Sequence, residues 1–271
     1  MKKLLLLVLA CSVLAACATS PTGRSQLMLV SPEAAIVESK KAYLSTVNEL
    51  DKQRKLVDDP KMMDRVAIIT GRLVSVAVNK YPDSADWEWS VAIVDDPETV
   101  NAWCMAGGRM AVYTGLFEKL KLTDDEFAQI MGHEISHALA NHTAERMSRA
   151  MATSLGVLAV GVAADEYKGA AMMGAAAAAK LALELPNSRT AELEADNLGM
   201  RLATLAGYDP AAAVTLWQKM AKAGNGAPPE FLSTHPAPNN RQAALSQMVP
   251  SMRDLNPTGR KAPVHPVQIV R

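Results

Sequence analysis

Apolar residues recur at intervals of three and four along several stretches of this chain, a spacing typical of amphipathic helices. Pro32, in a first-turn position, predicts the start of a helix that continues to about Val57. Asp59-Pro60 interrupts the pattern, and the same spacing resumes over residues 61–79. Two helices are therefore predicted in this part of the chain.

The next segment changes to the two-residue period of β-strands. Trp87–Ile93 alternates apolar with other residues, and Ala102–Ala106 and Met110–Thr114 are two further strand-like runs. Gly107-Gly108 between them predicts a tight turn, since glycine adopts backbone angles that other residues avoid. We therefore expect a small antiparallel sheet, with the tryptophans as packing residues.

Helical spacing returns in the second half of the chain. Thr123 and Glu126 form a capping box, which predicts that a helix begins near Asp124 and continues past His142. Three later helices are predicted: after residue 188 to about Ala206, from Asp209-Pro210 to about Ala223, and over about 238–248. Residues 224–236, rich in Gly and Pro, are predicted as a loop. Helices outnumber strands, so the predicted fold class is α+β and mainly helical.

Residues 150–184 are rich in Ala, Met and Gly, and the charged stretch 165–168 divides them into two apolar arms. Each arm, of about fifteen residues, is shorter than the roughly 20 residues that a transmembrane helix needs. Two interpretations remain open. The segment is either a packed helical hairpin or a flap that contacts a membrane or a partner.

Composition limits the classes of partner. The chain has 271 residues, of which 49% are hydrophobic, so it is long enough to bury a core. The formal net charge is +0, from 28 basic and 28 acidic residues, and aromatic residues make up only 4%. Nucleic acid is not an expected partner, because phosphate binding requires a basic surplus and base stacking requires aromatic rings.

The first residues predict export. After two lysines comes an apolar run, Leu4–Leu14, that is too short to span a membrane comfortably. The Leu-Ala-Ala-Cys stretch at 14–17 resembles a bacterial lipobox, which implies cleavage before Cys17 and lipid on that residue. The alternative is an ordinary signal peptide cut near Ala16. Ala18 is not an acidic sorting residue, so the lipoprotein resemblance implies the outer membrane.

The strongest chemical signal is the HEISH stretch at residues 133–137. On a helix, His133 and His137 lie one turn apart on the same face, where two imidazoles can bind one Zn²⁺. Glu134 points to the adjoining side, where it can hold the attacking water and take its proton. The pattern predicts a metal-dependent hydrolase.

A catalytic zinc usually has three protein ligands, so a third ligand must come from elsewhere. The extended motif HExxHxxGxxH is excluded, because Ala140 and Thr143 occupy its Gly and third His positions. On a continuous helix, His142 would lie about 140° round from His137, so we expect it to face away from the metal.

Glu192 and Asp196 offer a candidate pair on a later helix, four residues apart on one face. Glu192 would bind zinc, while Asp196 would accept the ring N–H of a ligating histidine and fix its orientation. The alternative is that this pair is solvated helix surface. Glu194, about 200° round from Glu192, should face elsewhere.

Together these motifs resemble the family of zinc metalloendopeptidases that includes HtpX, Oma and the CAAX prenyl protease. The resemblance covers most of the chain after the lipobox, with the closest likeness to outer-membrane lipoprotein members. The matching stretches are Thr22–Leu27, Asn101–Trp103, Gly107–Arg109, His133–His142, Ser188–Asp196, Ser233–Pro236 and Arg241. One departure is Ala106, where many relatives have Pro, so the resemblance does not extend to the shape of that turn.

The resemblance implies a zincin-like metallopeptidase domain over residues 31–250, built around the HExxH helix. The predicted organisation adds a signal peptide at 1–16, a lipidated N-terminus and short linker at 17–30, and an extended tail containing prolines at 251–271. Cys104 has apolar neighbours, which predict a buried and unreactive thiol.

The resemblance also implies a set of site residues. Glu192 would be the third ligand of one Zn²⁺ per chain, and Asp196 the partner behind a histidine ligand. The strand after Gly107 would be a sheet edge over the cleft, to which an extended peptide adds by main-chain hydrogen bonds. The substrate-binding residues of that edge would be Gly108, Arg109, Met110, Ala111 and Val112.

The expected reaction is hydrolysis of a peptide bond, with Glu134 as the base that takes a proton from water and passes it to the leaving amine. The developing oxyanion needs a further donor, for which His235 is the candidate. The alternative is that His235 occupies the open zinc position in a resting state. Arg241 either orients His235 or the substrate carbonyl, or pairs with a helix carboxylate.

The leading hypothesis is a membrane-anchored zinc metalloendopeptidase in proteolytic quality control, with unfolded or misassembled envelope proteins as its substrates. The alternative is a chaperone-like or latent lipoprotein that holds outer-membrane proteins in the same cleft. Glu134 favours the enzyme, because a pure binding protein does not need that carboxylate beside a metal.

Overall fold

The computed structural model describes residues 17–163, 185–223, 229–235 and 240–271. Its helices are α1 (Pro32–Lys52), α2 (Pro60–Lys80), α3 (Gly115–Glu118), α4 (Asp124–Leu139), α5 (His142–Ala163), α6 (Leu185–Leu205), α7 (Ala212–Ala223), α8 (Glu230–Thr234) and α9 (Arg241–Arg253), with a 3₁₀ turn at Pro82–Ser84. Its strands are β1 (Cys17–Thr19), β2 (Ser25–Leu27), β3 (Ser90–Val94), β4 (Ala102–Met105), β5 (Arg109–Tyr113) and β6 (Gln268–Val270). Helices dominate, which confirms the mainly helical α+β class.

Four strands form one sheet in the order β4-β5-β3-β6. Strand β3 pairs in parallel with both β5 and β6, whereas β4 and β5 are antiparallel. The sheet is therefore mixed, and the prediction of an antiparallel sheet is wrong. The reason is that β5 folds back from β4 and lies between β4 and β3, so that β3 and β5 run in the same direction. Strand β6, which lies in the predicted tail, adds a second parallel pairing to β3.

Strand β3 is buried along its whole length, so the alternating exposure expected for Trp87–Ile93 is not observed. Val91 and Ile93 pack into the main core, whereas Ala92 and Val94 pack into a smaller cluster with Tyr43 of α1. Both faces of the sheet are covered at this strand, which removes the need for a polar face.

A turn is present between β4 and β5, as predicted. Gly107 and Gly108 have φ values of +85° and +79°. A Cβ atom on Gly108 would lie 2.6 Å from the ring of Trp89, so a glycine is also required by space. Trp89 belongs to the main core and its indole N–H donates to the carbonyl of Ser84, which confirms a packing role.

Two helix boundaries differ from the prediction. Helix α1 ends at Lys52 rather than near Val57, because the chain turns at Arg54, with φ +54°, and Leu56 then bridges to the sheet. The predicted loop at 224–236 contains helix α8, and Phe231 of that helix donates its backbone N–H to the carbonyl of Val100.

The segment predicted as a linker at 17–30 contains an antiparallel hairpin of β1 and β2, which we call the N-terminal hairpin (Cys17–Leu27). Arg24 extends from it to Glu145 of α5 and Glu194 of α6. The segment therefore packs on two helices of the domain.

Helix α4, which carries the HEISH stretch, ends at Leu139, so the predicted continuation past His142 is wrong. Asn141 adopts a left-handed conformation, with φ +54°, and His142 begins α5. The side-chain N–H of Gln26 donates to the carbonyl of Ala140 at 2.8 Å, which satisfies an acceptor that the helix end leaves open. The N-terminal hairpin thus holds the corner between the two helices.

Helices α4 and α6 cross with glycine facing glycine. A Cβ atom on Gly132 would lie 2.7 Å from the carbonyl oxygen of Gly199, and one on Gly199 would lie 2.7 Å from the backbone nitrogen of His133. Real Cβ atoms do not come so close to a backbone, so only glycine permits this separation of the helix axes. The crossing brings Glu192 and Asp196 of α6 towards His133.

Among the described residues, no helix has both the length and the apolar character needed to cross a membrane. Helix α5 covers the first part of the predicted hairpin at 150–184, as far as Ala163. Residues 164–184 lie outside the described residues, so the hairpin and flap interpretations both stay predictions.

We predict opposite effects for two helical glycine-to-alanine changes. Gly156→Ala in α5, where a Cβ atom meets nothing within 4 Å, should stabilise the protein by about 0.5–1 kcal/mol through helix propensity. Gly199→Ala should destabilise it by about 1–3 kcal/mol, because the methyl group forces α4 and α6 apart. Urea unfolding measures both free energies. Equal stabilisation by the two changes would contradict the close crossing.

Candidate active site

The HEISH stretch lies on α4, as predicted, in the middle of the core. The capping box of Thr123 and Glu126 is present at the start of this helix, with both of its hydrogen bonds. Strand β4 packs on one side of α4 and helix α6 on another. His133 and Glu134 are consequently buried, at 5% and 2% exposure.

Four side chains converge beside α4. Each of them presents one atom that could bind a metal, and these four atoms all lie within 4.8 Å of one another. We call these residues the donor cluster: His133, His137, Glu192 and His235. Nε2 of His133 lies 3.1 Å from Nε2 of His137. The Glu192 carboxylate lies 3.3 Å from the first of these nitrogens and 3.4 Å from the second. The structure therefore brings together all three predicted ligands.

These residues fit a bound metal ion. Two ring nitrogens 3.1 Å apart cannot both carry a proton, so at least one lone pair points into the cluster. Oε2 of Glu192 and Oε1 of Glu134 are buried without a hydrogen-bond partner. Buried polar atoms rarely remain unsatisfied in folded proteins. Two imidazoles and a carboxylate are also the donor set typical of catalytic zinc.

Asp196 lies behind His133, where the sequence placed it. The Nδ1–H of His133 donates to Oδ1 of Asp196 at 3.1 Å, which leaves Nε2 to face the donor cluster. The guanidinium of Arg241 also donates to Asp196 and lies 3.6 Å over the ring of Trp217. These contacts match one of the roles considered for Arg241, which is pairing with a helix carboxylate.

The charges of the cluster follow from burial and hydrogen bonding. Burial opposes the cationic form of His133, but hydrogen bonds to Asp196 and Glu192 outweigh it and raise the pKa of His133 to about 9. Burial, with the charge of His133 beside it, lowers the pKa of His137 well below its ordinary value. Burial opposes ionisation of Glu192, but the surrounding histidines hold its pKa far below the usual range.

Glu134 lies between the donor cluster and the sheet. Its Oε1 is 3.4 Å from Nε2 of His235. Burial raises the pKa of the Glu134 carboxyl, whereas the neighbouring histidines and a backbone hydrogen bond from Cys104 act in the opposite direction. A raised pKa is suited to a carboxylate that takes and returns a proton near neutral pH.

A cleft of about 620 Å³ opens beside Glu134 and His137. Strand β4 lines one wall, from Asn101 to Cys104, and α5 lines the opposite wall. The burial of Cys104 confirms the expectation of a buried thiol, and burial also raises its pKa well above the ordinary value. The thiol is therefore protonated and unsuited to act as a nucleophile.

The predicted substrate strand is not a sheet edge. Gly108, Arg109, Met110, Ala111 and Val112 belong to β5 or precede it. Strand β5 pairs with β3 on one side and with β4 on the other, so its main-chain groups are already engaged. Among the described strands, β4 is the edge of the sheet at the cleft, because the chain folds back at Gly107-Gly108 and places β4 outside β5.

His142 contacts His137, contrary to the expectation that it faces away. Because α4 ends before it, the ring of His142 turns back and its Nδ1 lies 2.8 Å from Nδ1 of His137. The sequence signal that could have located this break is Asn141, since Asn adopts left-handed conformations more readily than most residues.

Arg24 is a further functional candidate. It lies in the family-like stretch Thr22–Leu27, but no role was predicted for it. Its Nε donates to Glu194 at 2.9 Å, and its two terminal nitrogens donate to Glu145 at 2.8 and 2.6 Å. Burial opposes ionisation of Glu145, but hydrogen bonds from Arg24, Arg149 and Gln26 outweigh it and lower the pKa to about 2. The N-terminal hairpin is thus attached by ionised, mostly buried groups.

The fold and this site define a metallopeptidase of the zincin type, with HExxH on one helix and a glutamate from a later helix. The sequence profile of peptidase family M48 matches residues 64–249. This chain belongs to peptidase family M48. The family implies a metal ion, which agrees with the donor cluster.

Named relatives support the assignment. Mitochondrial metalloendopeptidase OMA1 of Arabidopsis thaliana is 37% identical over 59% of this chain and 31% of the relative. OMA1 of Bos taurus is 31% identical over 88% of this chain and 46% of the relative. The beta-barrel assembly-enhancing protease of Escherichia coli K12 is 27% identical over 77% of this chain and 43% of the relative. The chain therefore spans less than half the length of each of these relatives.

We predict that Asp196→Asn lowers the affinity for zinc by about 10–100-fold, because the amide holds the His133 ring less firmly in its metal-binding orientation. Competition with a chromophoric chelator measures this affinity. The matched control is Asp125→Asn, at a half-exposed carboxylate on α4 that lies outside the donor cluster. Wild-type affinity in Asp196→Asn would contradict the assigned role of Asp196.

The depressed pKa of Glu145 predicts a dependence of stability on pH. Its folded pKa of about 2 lies below the ordinary value of 4.5, so the unfolded chain binds more protons between these values. The stability contributed by Glu145 is therefore present above about pH 4.5 and is lost as the pH falls towards 2. The difference in unfolding free energy between wild type and Glu145→Gln should narrow over this range.

The control for this measurement is Glu118→Gln, at an exposed position of α3. A difference for Glu145→Gln that stays constant down to pH 3 would contradict the depressed pKa.

Proposed function

We propose that this chain is a zinc-dependent metalloendopeptidase of a bacterial envelope, which cleaves unfolded or misassembled envelope proteins as part of proteolytic quality control. The observation that carries the proposal is the convergence of His133, His137 and Glu192 beside the buried carboxylate of Glu134. The relatives named metalloendopeptidase and beta-barrel assembly-enhancing protease support the activity and the substrate class.

In this mechanism His133, His137 and Glu192 hold the metal. Bound zinc supplies a Lewis acid that makes water acidic near neutral pH and polarises the scissile carbonyl. Glu134 takes a proton from the attacking water at its unpartnered Oε1. As the C–N bond breaks, Glu134 delivers that proton to the leaving nitrogen, which departs as an amine.

Substrate binding is proposed at the edge of β4. An extended peptide laid along this edge would form main-chain hydrogen bonds and pass over Glu134. Such binding depends on main-chain groups more than on side chains, so it favours segments that are unfolded. Helix α8 is tied to the start of this strand, since Asn101 donates to Glu230 at 3.1 Å.

The proposed location is the periplasmic face of the outer membrane, through lipid on Cys17. Cys17 begins β1 and is exposed, so a lipid on its thiol and amine would not disturb the hairpin. The N-terminal hairpin packs on α5 and α6, so this anchor would hold the domain close to the membrane surface.

His235 has two candidate roles. As a donor, it would stabilise the oxyanion that forms on the scissile carbonyl. As a fourth metal ligand, it would keep water out and make the resting protein latent, which is the state that the chaperone-like alternative requires. Its inclusion in the donor cluster favours this second role, because Nδ1 of His235 lies 3.2 Å from Glu192.

The test compares cleavage of casein, an unfolded protein, by the detergent-solubilised full chain and by Glu134→Gln. We predict that the variant keeps its zinc and loses at least about 100-fold in rate, because it lacks the base. A chelator should abolish cleavage by wild type. Glu126→Gln, a buried change at the start of α4, is the control and should retain activity.

His235→Ala separates the two roles of that residue. Faster cleavage would identify His235 as a ligand of a latent state, whereas a loss of about 10²–10³-fold would identify it as an oxyanion donor. If wild type and His235→Ala both bound zinc and neither cleaved casein, the result would support the chaperone-like alternative. Cleavage by Glu134→Gln at the wild-type rate would rule out the proposed mechanism.

A further inference from the structure

A line of hydrogen bonds leaves the donor cluster on the far side of His137. Nδ1 of His137 lies 2.8 Å from Nδ1 of His142, and Nε2 of His142 lies 3.1 Å from Oε2 of Glu194. The same carboxylate oxygen accepts from Nε of Arg24 at 2.9 Å. The line therefore connects a predicted metal ligand to the N-terminal hairpin.

Chemistry fixes the direction of each hydrogen bond in this line. An ionised carboxylate only accepts, so the proton between Glu194 and His142 sits on Nε2 of His142. In a neutral imidazole the other nitrogen is then an acceptor. With His142 neutral, its Nδ1 accepts from Nδ1–H of His137, and this leaves Nε2 of His137 unprotonated.

The unprotonated Nε2 of His137 is the atom that faces the donor cluster. It lies 3.1 Å from Nε2 of His133 and 3.4 Å from Oε1 of Glu192. In the opposite tautomer, Nε2 would carry a proton and could not bind a metal. The line of hydrogen bonds thus selects the one neutral form of His137 that can be a ligand.

Arg24 helps to keep Glu194 as the acceptor of the hydrogen bond from His142. Glu194 is buried, at 5% exposure, so its carboxylate needs hydrogen-bond donors inside the protein. Its Oε1 accepts from the hydroxyl of Thr22, and its Oε2 accepts from Arg24 and from His142. In the part of the chain that the structure describes, Arg24 is the cation that forms an ion pair with Glu194.

The guanidinium of Arg24 is itself held in place. Its terminal nitrogens bind Glu145 in a two-pronged contact, which fixes the plane that presents Nε to Glu194. Gln26, two residues further along the hairpin, binds both Glu145 and the carbonyl of Ala140. The hairpin therefore fixes Arg24 and the helix corner from which His142 projects.

We propose that Arg24, Glu194 and His142 are positioning residues that hold His137 in its metal-binding tautomer, so that the N-terminal hairpin governs the metal affinity of the site. The inference rests on the proposed function, since it takes His137 as a metal ligand. The positioning role differs from a purely structural role of the hairpin, which would affect stability and leave the tautomer of His137 unchanged.

The first test needs no variant. Nitrogen NMR of the metal-free full chain, labelled with ¹⁵N-histidine, reports which nitrogen of each ring carries a proton. The chain has 5 histidines, few enough for each ring to be assigned from its through-space contacts with neighbouring residues. We expect Nδ1–H on both His133 and His137. A proton on Nε2 of His137 would overturn the proposal, even if every variant failed to fold.

The second test uses zinc affinity. Glu194→Gln replaces the acceptor with an amide that can donate to His142, and it should reverse the His137 tautomer and weaken zinc binding by about 10–100-fold. Arg24→Met should weaken binding in the same direction, and Arg24→Lys should weaken it less. If Glu194→Gln folded and kept both the zinc affinity and the His137 tautomer of wild type, the proposal would be overturned.

The matched control is Glu126→Gln. Glu126 is also buried, pairs with Lys219 and belongs to the same helix as His137, but it lies outside the donor cluster. This variant should lose stability and keep the zinc affinity of the folded protein. If wild type bound no zinc, the proposed function would fail, whereas the tautomer of His137 would still decide the present inference.

Discussion

The crossing of α4 and α6 at Gly132 and Gly199 is the constraint on which the site depends. Because no Cβ atom separates the two backbones there, a carboxylate one or two turns away on α6 reaches the histidines of α4 directly. A wider crossing would leave Glu192 short of His137 and Asp196 short of His133. The protein thus builds a three-residue donor set from two rigid helices rather than from loops.

The buried carboxylates fall into two sets that differ in their hydrogen-bond partners. Glu194 and Glu145 receive hydrogen bonds from arginine and neighbouring side chains, so they attach the N-terminal hairpin as ionised groups. Oε1 of Glu134 and Oε2 of Glu192 have no such partner and face the histidine cluster. Unsatisfied acceptors are costly in a protein interior, so their clustering at one point marks where a ligand belongs.

Local chemistry made much of the structure predictable. The capping box at Thr123 and the HEISH spacing depend on neighbouring residues, and both are present. The end of α4 at Leu139 was not predictable from the apolar pattern, since that pattern continues across residues 140–141. His142 was therefore wrongly expected to face away from the metal. The mixed sheet was not predictable, because a local period indicates that a segment is a strand but not which strand it pairs with or in which direction.

The pairing of β3 with β6 has a consequence for how the chain folds. Ser90 pairs with Gln268, so the central sheet requires closure of a loop that contains most of the protein, and such non-local contacts form slowly. Strand β3 cannot gain β6 as a neighbour until residues 268–270 have been synthesised. The sheet is therefore completed late in folding.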